Sequence, residues 1–358
     1  MGQADPSSPK WVKPTQKKQH WVSPAPINTY SDPTMQTTTE TKNFNAVRLF
    51  AIDAGNRNIK WVDTRGSCHI LPSYSLKLEN WQDTPTPDSK SVVLEIDSDR
   101  YVVGQIAKEL GGVPTYLQDK TALAHLLILA AIAPVEGSDL PIAIDRLRLA
   151  LPNSNHQPHL DNLKRLEGVR TVKRNGQHLT YSIRNVEAID ECVGAYRYAK
   201  KAELFKYSNR PNGILDIGGG TALARSFAPS GNLIREADLQ LPGTKKLARL
   251  ISTALTPRIG YTPDLGMIMD GIADGSFLYG TTGVSFQKEF TQSHDRWLGE
   301  IRNQLNDRWE ELLRQMGEVL IVGGSAPLLK SIEIKTSGRF KIAPNSQFIG
   351  VKGMLIEG

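Results

Sequence analysis

Short apolar runs bounded by glycine, asparagine and proline dominate the chain after residue 43, and most are too short for helices. Val47-Arg48-Leu49-Phe50-Ala51-Ile52-Asp53 reads as a strand. Asn58-Ile59-Lys60-Trp61-Val62-Asp63 follows a short turn containing Gly55, so the two predict a hairpin. Val92 to Asp97 with Arg100 to Gly104 forms a second candidate pair. A helix-like stretch runs from about Gln118 to Ala133, and Ile142 to Leu151 reads as a strand. Val169 to Lys173 and Leu179 to Arg184 pair around Asn175-Gly176, a dipeptide suited to a tight hairpin turn. Val186 to Tyr207 is expected to be helical, with Glu187 and its other carboxylates early, where the macrodipole favours them.

A second cycle starts at Gly213 with a strand, a glycine turn and another strand, Ala222 to Phe227. A helix is expected from Gly243 to Ala254, and a long amphipathic one from Ser293 to Met316. In the latter, Trp297, Ile301, Leu305, Trp309 and Leu312 recur at steps of three or four, the spacing of a core face. A face for a partner helix is the other reading of that stripe. Val319 to Val322 leads into Gly323-Gly324, and Pro327 suits the first turn of a following helix. The strand–turn–strand plan thus occurs at Asp53 and again at Asp216. That repetition predicts a duplicated α/β fold with its ligand between the halves.

Residues 1 to 43 are rich in Pro, Ser, Thr, Gln and Lys, and cannot bury enough apolar surface to offset chain entropy. They read as a disordered basic tail. Its imperfect repeat, Trp11-Val12-Lys13-Pro14 and Trp21-Val22-Ser23-Pro24, is either a linker of no consequence or a docking motif. The remainder of the 358 residues suffices for two domains with full cores. No run of about 18 apolar residues occurs, and no leader pattern opens the chain, so a cytoplasmic protein without membrane contact is expected. Cys68 and Cys192 have no metal spacing and read as unpaired thiols. A net charge of +6 permits association with polyanions, yet no zinc spacing or aromatic-studded basic strand supports direct contact with DNA.

Candidate chemistry lies in the turns. Phosphates are held by backbone N–H groups at close range, and glycine permits that approach. Asp53, Gly55, Asn56 and Asn58 form one candidate cradle, and Asp216, Gly218, Gly219, Gly220 and Thr221 the other, with Gly243 behind it. Asp53 and Asp216 would face Mg2+ through its waters, because magnesium dehydrates reluctantly. Lys60 would neutralise phosphate charge, unless it is a solvated surface lysine. Gly323, Gly324 and Ser325 suit packing against adenine or ribose. The GxxxxGK[ST] loop is absent, which excludes a P-loop ATPase, and the glycine run lacks the GxGxxG spacing of a dinucleotide fold.

These segments resemble the actin-like ATPases, a superfamily that also holds sugar kinases and heat-shock chaperones, and within it the bacterial plasmid-segregation actins of the ParM or StbA type. The resemblance covers residues 47 to 358. Asp53 to Lys60 is similar to the first phosphate segment, Asp216 to Thr221 to the second, and Val322 to Ala326 to the adenosine segment. The tail Asn345-Ser346-Gln347-Phe348, with Val351, Gly353 and Met354, is similar to the end of ParM-like chains.

The resemblance implies two domains, 44–209 with 335–358 returning to it and 210–334, around a cleft for ATP or GTP with Mg2+. It implies ATP hydrolysis with Glu187, Asp53 and Asp216 as catalytic residues, Glu187 aiming the attacking water. It further implies self-association into filaments that segregate plasmid DNA through a DNA-bound adaptor at a centromere. Where ParM-like chains often carry Asp, this one has Ala224, one carboxylate fewer near the site. A small-molecule kinase of the same superfamily is the alternative, with Asp145 or Asp190 as base. A nucleotide-clamped chaperone is a third reading, disfavoured by the short segment left after Gly324.

Overall fold

A computed structural model describes residues 44–115 and 120–357. The expected disordered tail, with its tryptophan repeat, and the start of the helix expected from Gln118 lie outside the described residues. The first half opens with three strands, β1 (Asn45–Ala54), β2 (Asn58–Val62) and β3 (Cys68–Pro72). Strands β4 (Tyr74–Leu78), β5 (Ser91–Ile96) and β6 (Asp99–Gly104), helix α1 (Gln105–Glu109) and strand β7 (Val113–Pro114) follow. Helix α2 (Lys120–Ala131) leads to β8 (Ile142–Leu151), and α3 (Gln157–Lys164) to the hairpin of β9 (Gly168–Arg174) and β10 (Gln177–Asp190). Helix α4 (Val193–Lys201) crosses to the second half.

That half contains β11 (Asn212–Ile217), β12 (Thr221–Phe227) and β13 (Leu233–Pro242), then helices α5 (Thr244–Ile259), α6 (Leu265–Ala273) and α7 (Gln287–Gln315). Strand β14 (Val319–Val322), a 3-10 turn at Ala326–Leu329, α8 (Lys330–Lys335), β15 (Phe340–Ile342) and α9 (Ile349–Met354) end it.

The duplication inferred from the repeated turns is written in the sheet order. The second sheet runs β13-β12-β11-β14-β15, and the first contains the matching run β3-β2-β1-β8-β10. In each run the first three strands are antiparallel neighbours and the last three pair in parallel. The first sheet continues through β9, β5, β6, β4 and β7. Of the stretch 335–358, expected with the first half, β15 adds to the second sheet and only α9 packs on β1 and β2.

Apolar alternation accounts for the burial. Helix α2 covers the outer face of the first sheet, with Leu127, Ile128 and Leu129 against Ile52, Leu94 and Ile144. Helices α5, α6 and α7 cover the second sheet. The expected stripe on α7 is a core face: Trp297, Ile301, Leu305 and Trp309 are buried, and the two indoles donate to Pro242 O and Ala237 O. The inner faces are covered by a pair of helices. Helix α4 packs on the second sheet, where Tyr196 stacks on Phe227, and α9 packs Val351 and Met354 on Ala51 and Val62.

The expected helix from Val186 to Tyr207 is a correction. Residues 186–190 extend β10, which stays in parallel register with β8 as far as Asp190, and the helix starts only at Val193. Local propensity loses here to strand pairing, and Cys192, at φ 73°, makes the break.

Helices α4 and α9 cross at backbone contact. A Cβ on Gly353 would overlap the carbonyl of Gly194, which no rotamer change can relieve. Gly353→Ala is expected to cost about 1–3 kcal/mol or more, as overpacking does, read from the urea midpoint of the full chain. An unchanged midpoint would mean that the helices part without cost.

Candidate functional site

Two turns of the same construction define the site. At the end of β1, Gly55 N donates to Asn58 O at 3.1 Å; at the end of β11, Gly218 N donates to Thr221 O at 3.1 Å. A Cβ on either glycine would lie 2.7 Å from the carbonyl that closes its own turn, so a side chain is excluded at both. The turns also face each other. A Cβ on Gly219 would stand 2.9 Å from Arg57 Cβ, and one on Gly220 would stand 2.5 Å from Asn56 Nδ2. Behind the second turn, Thr244 N and Lys245 N at the start of α5 donate to Gly218 O and Gly219 O. Gly243 leaves room for that contact, since its Cβ would be 2.7 Å from Thr221 N.

Between the turns lies a cleft of about 350 Å3, which Asp53, Lys60, Glu191 and Asp216 line together with the loop Gly323–Ser325. It stands at the carboxyl ends of β1, β10, β11 and β14, where open α/β sheets bind ligands. Lys60 is opposite Asp53 in the hairpin register, and its Nζ donates to Asp53 Oδ2 at 2.7 Å. Burial opposes its charge, but the fields of Asp53, Asp216 and Glu191 with that hydrogen bond outweigh burial and lift the ammonium above its ordinary range. The site therefore carries a cation held among three carboxylates. Gly323, at φ 93°, lets its loop pack against the Asp216 carboxylate. The C-terminal segment completes the wall, with Ser346 O accepting from Gly323 N at 2.9 Å and Gln347 beside Gly324.

The structure gathers Asp53, Gly55, Asn56, Asn58, Lys60, Asp216, Gly218, Gly219, Gly220, Thr221, Gly323, Gly324 and Ser325 around this one cleft. Glu187 is not among its lining residues. It faces Arg148, whose Nη2 lies 2.9 Å from Glu187 Oε2 while its Nη1 donates to the carbonyls of Met354 and Ile356. The expectation failed because Glu187 is a mid-strand residue, and the strand delivers a different carboxylate, Glu191, to the cleft. Ala224 is likewise turned into the core of the second half, and the cleft-facing neighbour is Leu223. A carboxylate at 224 would be buried, so its absence costs the site nothing.

Of the two kinase candidates, Asp145 is half exposed on β8 and pairs with Arg184. Asp190 does line the cleft, but Ser154 and Arg235 hold both of its oxygens.

Five further residues in or beside the site, Glu191, Arg57, Asp270, Lys108 and Arg225, were missed by sequence reasoning. Glu191 had a usable signal, its place at the end of a parallel strand, once the strand is known to run that far. Arg57 sits in the first turn, and its Nη2 reaches Asp270 Oδ1 of α6 at 2.6 Å. Lys108 of α1 joins the other oxygen of Asp270, so this one carboxylate ties two cations of the first half to the second. At the opposite end, the buried Arg225 of β12 donates to Glu191 O at 2.6 Å and to Pro152 O, and pairs with Asp238 at 3.3 Å. No cluster of three or more His, Cys, Asp or Glu fit for a metal occurs among the described residues. No helix among them is long and apolar enough to cross a membrane.

Residues 51–194 match the family model of the N-terminal domain of actin-like proteins. No curated protein matches the chain in sequence. Among solved structures the chain is similar to the archaeal actin homologue Ta0583, at 16% identity and a TM-score of 0.70, over 86% of this chain and 98% of that one. The same homologue in complex with ADP superposes with a TM-score of 0.67 at 14% identity, over 86% and 98% of the two chains. A ParM subunit from a 15-stranded filament of Clostridium botulinum gives 0.69 at 17% identity, over 87% and 98%. At such identities the likeness establishes the fold, and the fold is that of actin.

Asp270 is the cleft's cross-bridge, and Asp270→Asn is expected to change stability by no more than about 1 kcal/mol, as for other part-exposed pairs. The variant should show a larger radius of gyration by small-angle X-ray scattering, and raised salt should move the wild type toward it. An unchanged radius would mean that other contacts hold the halves together.

Proposed function

We propose, for a chain folded as an actin whose residues 51–194 match the N-terminal domain of the actin-like proteins, that this protein is an ATP-driven polymer-forming protein. ATP (or GTP) would bind in the cleft between the halves, be hydrolysed there, and control assembly of the chain into filaments. The observation that carries the reading is the pair of facing glycine turns, each with an aspartate at its start, around Lys60. Backbone N–H groups of the two turns would grip the β- and γ-phosphates from opposite sides, and Lys60 would neutralise part of their charge. Asp53 and Asp216 would hold a Mg2+ ion through its waters, and the ion would supply neutralisation of phosphate charge. Gly323, Gly324 and Gln347 would face the nucleoside.

Phosphoryl transfer to water needs placement and charge neutralisation more than a strong base. Glu191 is the carboxylate we assign to orient the water, in place of Glu187, because it lines the cleft at the junction of β10 and α4. The moving bodies would be 44–192 with α9, and 193–342, which contains α4 and the second sheet. Nucleotide contacts on both turns favour the closed arrangement, and loss of the γ-phosphate weakens them, which is how hydrolysis would bias the cleft. A closed body that repeats head to tail builds an open filament. Plasmid DNA, reached through a DNA-bound adaptor, is the cargo implied by the ParM-like resemblance of the chain.

Pelleting and electron microscopy of the purified chain with Mg-ATP, with Mg-ADP and without nucleotide test the reading. Filaments that need Mg-ATP are expected; a monomer under all three conditions overturns polymerisation, while phosphate release by that monomer would still support the cleft chemistry. Glu191→Ala should bind ATP and release phosphate about a hundredfold to ten-thousandfold more slowly. Glu187→Ala should leave turnover within about threefold and instead lower stability by roughly 3–5 kcal/mol, because it strands the buried Arg148. The reverse pattern would return the catalytic role to Glu187.

A further inference from the structure

A second cavity, of about 490 Å3, lies in the first half and shares no lining residue with the cleft. Its walls mix apolar side chains, among them Phe50, Trp61, Val92, Ile132 and Ile144, with the polar Thr64, Ser89, Ser91 and Asn175. Its rim is charged, but the rim charges are largely spent on one another. Asp63 accepts from His69 Nε2 at 2.8 Å and from the backbone N–H groups of Arg65 and Ser67, and Glu136 pairs with Arg65. Asp88 is exposed and accepts from Lys90 N.

The remaining lining charge is Arg174, at the end of β9. Its Nη2 donates to Ala130 O in the last turn of α2, and its enclosed Nε has no partner among the described residues. Burial pulls the guanidinium down to about 10, and none of the described carboxylates holds it up. The chain fixes this group firmly. Arg174 is in register with Leu94, and next to it Asn175 clasps Val93 through both its N–H and its side-chain oxygen. Arg174 is part-buried; a desolvated cation costs stability unless it is paired, and here a turn fixed on β5 places one on the wall of a cavity of small-ligand size that is partly apolar.

We propose that this cavity is a binding site for a small organic monoanion, a carboxylate on a flat apolar body, with its carboxylate on Arg174 and its body between Trp61 and Phe50. One guanidinium matches one negative charge, and its fork suits a carboxylate. A dianion such as a phosphomonoester would be left half-neutralised near Asp63, Asp88 and Glu136. The apolar part of the walls selects for an aromatic or branched body over a polar acid. The site is independent of the nucleotide reading, because none of its residues touches the cleft.

The test uses the full chain and 4-bromobenzoate, with neutral 4-bromobenzyl alcohol as its uncharged counterpart, by isothermal titration calorimetry. The acid is expected to bind at least about tenfold more tightly than the alcohol, the usual scale of a charge-assisted hydrogen bond. Arg174→Met should abolish that difference, Arg174→Lys should keep part of it, and saturating Mg-ATP should not displace the acid. Equal binding of acid and alcohol, equal binding by wild type and Arg174→Met, or displacement by Mg-ATP would each overturn the proposal. Should Arg174→Met fail to fold, the anomalous signal of bromine in soaked crystals decides. Bromine in the cavity with its carboxylate on Arg174 supports the site, and bromine elsewhere or nowhere refutes it.

Discussion

Everything in this molecule is arranged around the close approach of two turns that cannot carry side chains. Gly55 and Gly218 close their turns on carbonyls 2.7 Å from where a Cβ would sit, and Gly219 and Gly220 accept Arg57 and Asn56 of the opposite turn at similar range. That approach leaves a cleft lined by the two turns and by Asp53, Lys60, Glu191 and Asp216 at the ends of the strands. It also demands a connection between the sheets that is equally close. The crossing of α4 and α9 at Gly194 and Gly353 is that connection, with one helix on each inner face. Glycine thus does the same job at the site and at the joint beneath it, for the same steric reason.

Charge is distributed around this frame in a consistent way. Lys60 is held among Asp53, Asp216 and Glu191, so the cleft already contains the cation that a triphosphate would meet. Asp270 draws Arg57 and Lys108 across one side, while Arg225 crosses at the other through the carbonyls of Glu191 and Pro152. The two crossings differ in character. The Asp270 bridge is partly exposed and open to competition from salt or from a phosphate, whereas Arg225 is buried and bonded to backbone.

Much of this was legible in the residues. The hairpins at Asn58 and at Asn175-Gly176, the two aspartate-glycine turns and the tryptophan stripe on α7 all follow from period, turn chemistry and spacing. The duplication follows from the repeated turn, while the matching strand order of the two halves came only with the structure. What misled was the stretch after Val186. Its carboxylates and long side chains suit a helix, but β8 offers a parallel partner through Asp190, and pairing outweighs propensity. Glu187 entered the site through the family resemblance, and the helix expected at Val186 hid that the strand runs on to bring Glu191 to the cleft. Ala224 failed differently: an alternating strand sends neighbouring side chains to opposite faces, and a shift of one position exchanges core for cleft.

Glycine sterics and short-range periodicity set the repeated plan, the two aspartate-glycine turns and most strands, and these were legible from the residues alone. Only packing decided which carboxylate reaches the cleft, what Arg57 and Asp270 do, that β15 joins the second sheet, and that Arg174 meets no carboxylate among the described residues. Those facts depend on which strand ends meet and which charges are brought together from residues up to 213 positions apart. No local pattern carries that distance, and only packing supplies it.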